Sequence, residues 1–269
     1  MSKRTIRAAA GAPGGDRVLV LDKAFSVLDL LAQSDDGLRA ADLQRRLEMP
    51  RPTLHRILGM LVEHGYVARG DDDRYRLGLR LYELGKRVQS TSSVLEMITG
   101  ELTRIADDLD VTAYLSVRRN DHAMCLARID RGPVRIADYQ VGETLPLTIG
   151  GGPKVLLATM TDTEIDQLLD RQRLAVFTDT TLSSRLDVWD AITAIRRDGY
   201  AIGNGDHVEI QTAVGVPLAD GAGAAAGAIS IAMIQPRPRD GELETIVARL
   251  RLAAMRLSGM NWHAAELVR

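Results

Sequence analysis

Residues 38–77 read LRAADLQRRLEMPRPTLHRILGMLVEHGYVARGDDDRYRL, and the reading of this stretch decides the fold of the first third of the chain. Leu54, Ile57, Leu58 and Leu61 recur at i, i+3, i+4 and i+7, the spacing that gathers apolar side chains on one side of a helix. The other side keeps Arg51, Thr53, His55 and Arg56. Ahead of it, Ala40 to Leu47 predicts a short helix with Ala40, Leu43 and Leu47 on one face. Glu48-Met49-Pro50 breaks that helix, because proline lacks the amide donor and clashes with the preceding turn. Pro52 is compatible with the first turn of the next. Gly65 predicts its stop, and Tyr66 to Ala68 and Tyr75 to Leu77 predict two short strands around a polar turn. Two helices joined by a tight turn and followed by a small hairpin make a winged helix-turn-helix, in which the second helix offers its outer face and first turn to the DNA major groove.

Charge supports this locally. From Leu38 to Arg80 nine arginines stand against six acids, and three of the acids are consecutive, Asp71 to Asp73. The basic excess therefore concentrates on the second helix and the wing edges. Arg51, Thr53, His55 and Arg56 are the candidates for base edges and neighbouring phosphates. Arg69 and Arg74 flank the wing turn and are the candidates for DNA backbone or minor groove. A helical hairpin packed inside a larger core is the plainer alternative, but it has no use for those four side chains on one face followed at once by a basic-edged hairpin.

Working outward, the 269 residues leave room for two ordinary domains. An apolar content of 45% and a charged content of 26% are those of a soluble globular protein. The formal net charge of −2 argues against a generally basic nucleic-acid coat. The single cysteine, Cys125, excludes an internal disulfide framework and points to a reducing, cytoplasmic compartment. No apolar run is long enough to span a bilayer. The opening MSKRTIRAAAGAPGGD has basic residues but no apolar core after them, so it reads as a disordered arm over residues 1–17, not a secretory signal.

A first helix is expected to start near the capping residue Asp22 and to carry Ala24, Phe25, Val27, Leu28, Leu30 and Leu31, completing a DNA-binding domain over 18–80. GLRLYELGKRVQS follows as a short linker helix, placed at 81–92, with Gly78 and Gly85 marking its ends. From Ser93 the pattern lengthens into a helix with Val94, Leu95, Ile98, Leu102, Ile105 and Leu109 on one side. Strand-like runs come next at Thr112 to Val117, Ala123 to Ile129, Val134 to Tyr139, Ala213 to Leu218 and Ala225 to Ile234. Helical runs are expected at Pro153 to Met160, Thr163 to Arg171, Leu186 to Arg197 and Asp240 to Trp262. ADGAGAAAGA reads as a hairpin turn. Residues 93–269 thus predict a sheet flanked by helices, and the whole chain is of α+β class.

The stretches LDKAFSVLDLLAQ, MPRPTLHRIL and LVEHGYVARGDDDRYRLGLRLYELG resemble the N-terminal domain of the IclR family of bacterial transcription regulators. VGETLPLTIGGGPKVLLA, IRRDGYAIGNGD, VGVPLADGAG and GAISIAMIQPRPR resemble its C-terminal part. The resemblance, from about Val18 to the end of the chain, implies a winged-helix domain, a linker helix and a GAF-like effector domain that binds a small metabolite and alters operator binding. It also implies a homodimer or tetramer. Departures fall where ligand is expected. Thr148 to Lys154 stands where the family often reads HATALGK or HASGAGK. Gly203 stands where an acid is frequent, Ala213 where a cysteine is frequent, and of two serines in the SIS-type strand only Ser230 is kept, the other being Ala232.

Gly150 to Gly152 before a helix is a place where free amides and the helix dipole can hold an anion, although a flexible turn is the alternative reading. It is no Walker loop, since Val155 follows Lys154. With Gly203, Ala213 and Ala232 replacing polar groups, the pocket is expected to be wider and more apolar than one for a two- or three-carbon keto acid. The effector expected is a mid-sized, partly apolar or aromatic carboxylate. Its acid group would face Thr148, Gly151 and Gly152 with Ser230 opposite, and its body would lie against Tyr114, Met124 and Met233. Five histidines show no metal-ligand spacing, Cys125 has no CxxC partner and no GxSxG elbow occurs, so neither metal, cofactor nor enzymatic activity is expected. The function expected is a sequence-specific, ligand-responsive transcriptional regulator, repressor or activator. The alternatives are an enzyme acting on a small acid with an accessory DNA-binding domain, and a scaffold whose second domain serves only oligomerisation.

Overall fold

The computed structural model describes residues 19–34, 36–91, 93–131, 139–234, 238, 240–260 and 267. The arm expected over 1–17 and most of the strand expected at Val134 to Tyr139 lie outside these residues. The chain divides into two compact units, Met1–Thr91 and Ser92–Arg269.

In the first unit α1 (Leu19–Leu31), β1 (Leu38–Arg39), α2 (Ala40–Leu47), α3 (Arg51–Glu63), β2 (Val67–Arg69), β3 (Arg74–Leu77) and α4 (Leu79–Thr91) follow in order. Val27, Leu31, Leu43, Leu54, Ile57 and Leu58 form its core with Val67 and Tyr75, so the apolar stripes of three short helices close on the hairpin. Glu48 takes a left-handed conformation at the end of α2, and Pro50 occupies the N-cap position of α3. This turn fixes α3 as a separate helix. The wing is a three-stranded antiparallel sheet, β1-β3-β2, with Leu38 opposite Tyr75 and Val67 opposite Leu77. Its third strand, β1, is two residues long and too short to register as a strand in sequence. Two expectations are corrected here. The first helix begins at Leu19, which leaves Asp22 within its first turn, where an acid suits the dipole without capping. Gly85 does not end the linker helix; α4 runs on to Thr91, one interior glycine costing only about 1 kcal/mol.

The second unit comprises α5 (Ser93–Leu109), β4 (Thr112–Arg119), β5 (His122–Asp130), β6 (Thr144–Pro146), α6 (Gly151–Ala158), α7 (Asp162–Arg171), α8 (Arg185–Asp198), β7 (Ala201–Asn204), β8 (Gln211–Ala219), β9 (Ala225–Ile234) and α9 (Asp240–Ser258). The strands make one antiparallel sheet in the order β6-β5-β4-β9-β8-β7. Against one face pack α5 and α9 through Ile98, Leu102, Ile105, Leu250, Ala253 and Leu257. Against the other lie α6 and, behind it, α8, through Val155, Leu157, Val188 and Ile192. Both α7 and α8 start with capping boxes, Thr161 with Glu164 and Ser184 with Asp187. The ADGAGAAAGA run is the turn between β8 and β9, where the Asp220 carboxylate accepts from the amides of Ala222 and Ala224 at 3.0 and 2.8 Å.

The N-terminal turn of α6 rests directly on strand backbone. A Cβ on Gly151 would lie 2.7 Å from the amide nitrogen of Gly215 in β8, and one on Gly215 would lie 2.6 Å from the carbonyl carbon of Gly151. The pair of glycines lets the helix start touch the sheet. That contact places the Gly150 to Gly152 amides over the centre of the sheet, between β4, β7, β8 and β9.

Candidate functional site

On the first unit, α3 carries Arg51, His55 and Arg56 exposed, with Thr53 half-buried on the same side of the helix. Leu54, Ile57 and Leu58 face inward, as the stripe requires. Among the described residues the side chains of Arg51, His55 and Arg56 make no hydrogen bond or ion pair. The wing differs. Arg69 pairs with Asp73 at 2.6 Å and lies 5.8 Å from the Tyr75 ring centroid. Arg76 holds both oxygens of Asp72, at 3.0 and 2.7 Å, and its guanidinium keeps that exposed carboxyl well below the usual range. Arg74 donates through Nη1 to the Gly37 carbonyl at 2.9 Å and lies 3.8 Å from Asp72 through Nε, its side chain 37% exposed. The guanidinium thus ties β3 to the turn ahead of β1 while part of it stays at the surface. Arg69 stays exposed but with its charge met by Asp73.

The second unit holds a small cavity beneath the start of α6. Of the residues singled out in the sequence, Tyr114, Gly151, Gly152, Gly203, Ala213 and Ser230 line it. Three expected residues do not. Met124 is one place out of phase with Ala123 and Cys125, and its Sδ meets Arg119 at 3.8 Å. Met233 is one place out of phase with the lining residue Ala232 and packs toward α5 and α9. Thr148 is buried but contributes nothing to the lining. The lining residues that sequence reasoning missed include Tyr139, Leu145, Asp206, His207 and Gln211.

Asp206 governs the anion end. Its carboxylate accepts the Gly150 amide with both oxygens at 3.1 Å and pairs with the Lys154 ammonium. The two side chains are only 4% and 9% exposed. Lys154 also donates to the Ile202 carbonyl at 3.2 Å. Threonines of the preceding loop clamp the segment that presents Asp206: the Thr178, Thr180 and Thr181 hydroxyls donate to the carbonyls of Gly205, Asn204 and Asp206 at 2.6, 3.0 and 2.7 Å. Gly203 is part of the same arrangement. A Cβ there would lie 2.7 Å from an Asp206 oxygen and 2.5 Å from the Gly150 Cα, so the space a side chain on residue 203 would need is taken by Asp206 and by the helix start. The first turn of α6 thus already carries an anion, supplied by the chain itself. The amides of Gly151 and Gly152 remain beyond it, without the i−4 carbonyl that residues deeper in a helix have.

The other end is aromatic. The Tyr114 and Tyr139 rings lie 5.8 Å apart at 32°, and the Arg128 guanidinium sits 5.4 Å from the Tyr114 centroid. The Tyr139 hydroxyl donates to the buried Ser116 Oγ at 3.0 Å. Desolvation pushes the Tyr139 phenol up from its ordinary range and the neighbouring Cys125 thiol up to about 12, so Cys125 is a buried neutral thiol. The free space is about 30 Å³, roughly the share of one water molecule. The expectation of a wider pocket is corrected on this point. Glycine at 203 and alanine at 213 do not open the site, because helix backbone, Asp206 and the Tyr139 ring close into it.

Comparison with known proteins agrees with both halves. Residues 20–71 match the model described as the IclR helix-turn-helix domain, and residues 86–259 match the one described as the bacterial transcriptional regulator IclR C-terminal region. The HTH-type transcriptional regulator XynR of Escherichia coli K12 is 27% identical over 88% of this chain and 95% of its own length. The crystal structure of an IclR transcriptional regulator from Alicyclobacillus acidocaldarius superposes with a TM-score of 0.80 at 24% identity, covering 90% of this chain and 98% of that one. An IclR homolog from Microbacterium hydrocarbonoxydans, crystallised in complex with 4-hydroxybenzoate, gives 0.73 at 22% identity, covering 89% and 98%. A winged helix-turn-helix ahead of a sheet with a small cavity under a helix start is the plan of a DNA-binding transcriptional regulator with a small-molecule effector, and this chain belongs to the IclR family.

Proposed function

We propose that α3 reads the operator through Arg51, Thr53, His55 and Arg56, and that the wing contributes little charge to DNA binding. The contrast in pairing carries this reading. The wing arginines are met by Asp72, Asp73 and the Gly37 carbonyl, whereas Arg51, His55 and Arg56 are exposed and uncommitted. One short helix reads too few base pairs for genomic specificity, so the regulator acts as a homo-oligomer on a pseudo-palindrome with half-sites about one helical turn apart. Exposed Leu19, Val20, Leu21 and Phe25 on α1 and Leu79, Tyr82 and Val88 on α4 are the apolar surface available for that assembly.

The effector in this reading is a small carboxylate with an apolar or aromatic body. Its acid group is held by the Gly151 and Gly152 amides with Ser230 opposite, and its body lies toward Tyr114. The aromatic wall of the cavity supports this, as does the 4-hydroxybenzoate bound by the Microbacterium homolog. The protein binds this effector without turning it over and works in the cytoplasm, where operator and metabolite meet. Two measurements test the proposal. Arg56→Ala should weaken operator binding by about 1–3 kcal/mol if the guanidinium makes a bidentate base contact; unchanged affinity in a salt titration would remove α3 from the interface. Calorimetry with benzoate-like acids against glyoxylate and pyruvate should favour the larger acids, and binding of the smallest alone would reject the effector class.

A further inference from the structure

The cavity is occupied by the protein's own side chains. Tyr139 is 7% exposed, although it stands on a loop ahead of β6 and not within an element of the sheet. Its ring fills the space beside Tyr114, Cys125 and Ala232, and its hydroxyl takes the Ser116 Oγ, which is wholly buried on β4. The backbone of Tyr139 has a φ of 55°, a left-handed conformation that a bulky residue adopts only under constraint. The main chain from residue 139 onward is pinned independently of the ring. The Tyr139 carbonyl accepts from Arg128 at 3.5 Å, the Gln140 amide donates to the Glu143 carboxylate at 2.6 Å, and the Gly142 amide donates to the Cys125 carbonyl at 2.8 Å. The side chain is held only by packing and one hydrogen bond, and is the part that a ligand of the same shape can replace. With it in place the open volume is about 30 Å³, too little for any ring; with it gone, the vacated space has the dimensions and the polarity of one phenol.

We infer that Tyr139 is a built-in plug in an aromatic subsite of the cavity, and that the subsite takes a hydroxyaromatic ligand whose ring replaces the Tyr139 ring on Tyr114 and whose hydroxyl replaces the Tyr139 hydroxyl on Ser116. The inference rests on reading this cavity as the effector site and adds the class of ligand and the residue that gates it. With the main chain of the turn held by Arg128, Glu143 and the Cys125 carbonyl, exchange of ring for ligand is a side-chain event at residue 139. Aliphatic acids, which can take over neither the ring contact nor the Ser116 bond, leave the plug seated.

The test uses the full chain and two probes of one ring, p-cresol and toluene, with binding read by calorimetry. Tyr139→Ala should bind p-cresol at least tenfold more tightly than the parent does. In the double variant Tyr139→Ala/Ser116→Ala, p-cresol should lose about fivefold relative to Tyr139→Ala while toluene changes little, the factor expected for one hydrogen bond. Tyr139→Phe removes the Ser116 bond but keeps the packing, and should bind p-cresol about fivefold more tightly than the parent. If Tyr139→Ala is folded and gains nothing, or if p-cresol and toluene behave alike with and without Ser116, the inference is wrong. If Tyr139→Ala does not fold, absence of gain in Tyr139→Phe overturns it alone. Operator affinity separates the two readings: tight p-cresol binding with operator affinity unmoved would sink the effector-site reading and leave the plug standing, whereas carboxylate-controlled operator binding with no gain for p-cresol would do the reverse.

Discussion

Replacing Asp206 by Asn removes one charge from a pair that water does not reach. Asn can still accept the Gly150 amide, which meets both oxygens of the native carboxylate at 3.1 Å, so the hydrogen bond to the helix start survives. What is lost is the compensation for Lys154, whose side chain is 9% exposed and whose one other acceptor is the Ile202 carbonyl at 3.2 Å. Breaking a buried pair by removing one partner costs about 3–5 kcal/mol, because the remaining charge stays desolvated. For a domain of this size each kcal/mol moves the midpoint roughly 2–4 °C, so Asp206→Asn should melt about 6–20 °C below the parent. Both tryptophans, Trp189 and Trp262, belong to the second unit by sequence, and their fluorescence reports its unfolding apart from that of the DNA-binding unit. The double variant Lys154→Met/Asp206→Leu should recover most of the loss, since well-packed apolar residues commonly replace a buried ion pair at little cost. A melt of Asp206→Asn within about 2 °C of the parent would mean that Lys154 is hydrated and that the pair does not hold the start of α6.

Arg74→Ala should lower the stability of the first unit by about 1 kcal/mol, the worth of its bond to the Gly37 carbonyl, while leaving the dependence of operator affinity on salt unchanged. A slope reduced by about one unit would return Arg74 to the DNA interface. Cys125 should resist Ellman's reagent at pH 8 in the native protein and react fully in denaturant. Its thiol is pushed up to about 12 by burial, which leaves on the order of one thiolate in ten thousand at that pH; rapid native labelling would show that the cavity floor opens readily.

What was legible in the sequence is what depends on near neighbours. The Leu54, Ile57, Leu58 stripe and the Pro50 break are local, so the positions of α2 and α3 and the outward face of Arg51, His55 and Arg56 could be read directly. The wing pairings could have been read in the same way, because Arg69 with Asp73 and Asp72 with Arg76 are both four residues apart. Strand faces are a different matter. Met124 and Met233 have the right chemistry for a ligand wall, yet Met233 stands one residue from the lining Ala232, and Met124 one residue from Cys125, which packs behind the lining Tyr114 and Tyr139. Which phase of a strand points inward depends on pairing with distant strands, here including the register shift between Leu115 and Ser116 against β5. Nothing in the local sequence marks that shift.

The anion site shows the limit most clearly. Gly203 without a side chain reads as space for a ligand, and a chain met only as a sequence offers no reason to think otherwise. In the folded unit the carboxylate that meets the helix start comes from Asp206, three residues further along, and its amide partner is Gly150, 56 positions away. Asp206 in turn needs Lys154, one turn into α6, and the threonine clamp at 178–181. Asp206 and the threonines are ordinary polar residues, and Lys154, the single charge in the apolar helix GGPKVLLA, signals a buried charge without naming its partner. Gly203 and the ion pair are bound to one another by packing: a Cβ on residue 203 would lie 2.7 Å from an Asp206 oxygen and 2.5 Å from the Gly150 Cα, so a side chain there and the buried Lys154–Asp206 pair exclude each other, and the site keeps the pair because it is desolvated but compensated.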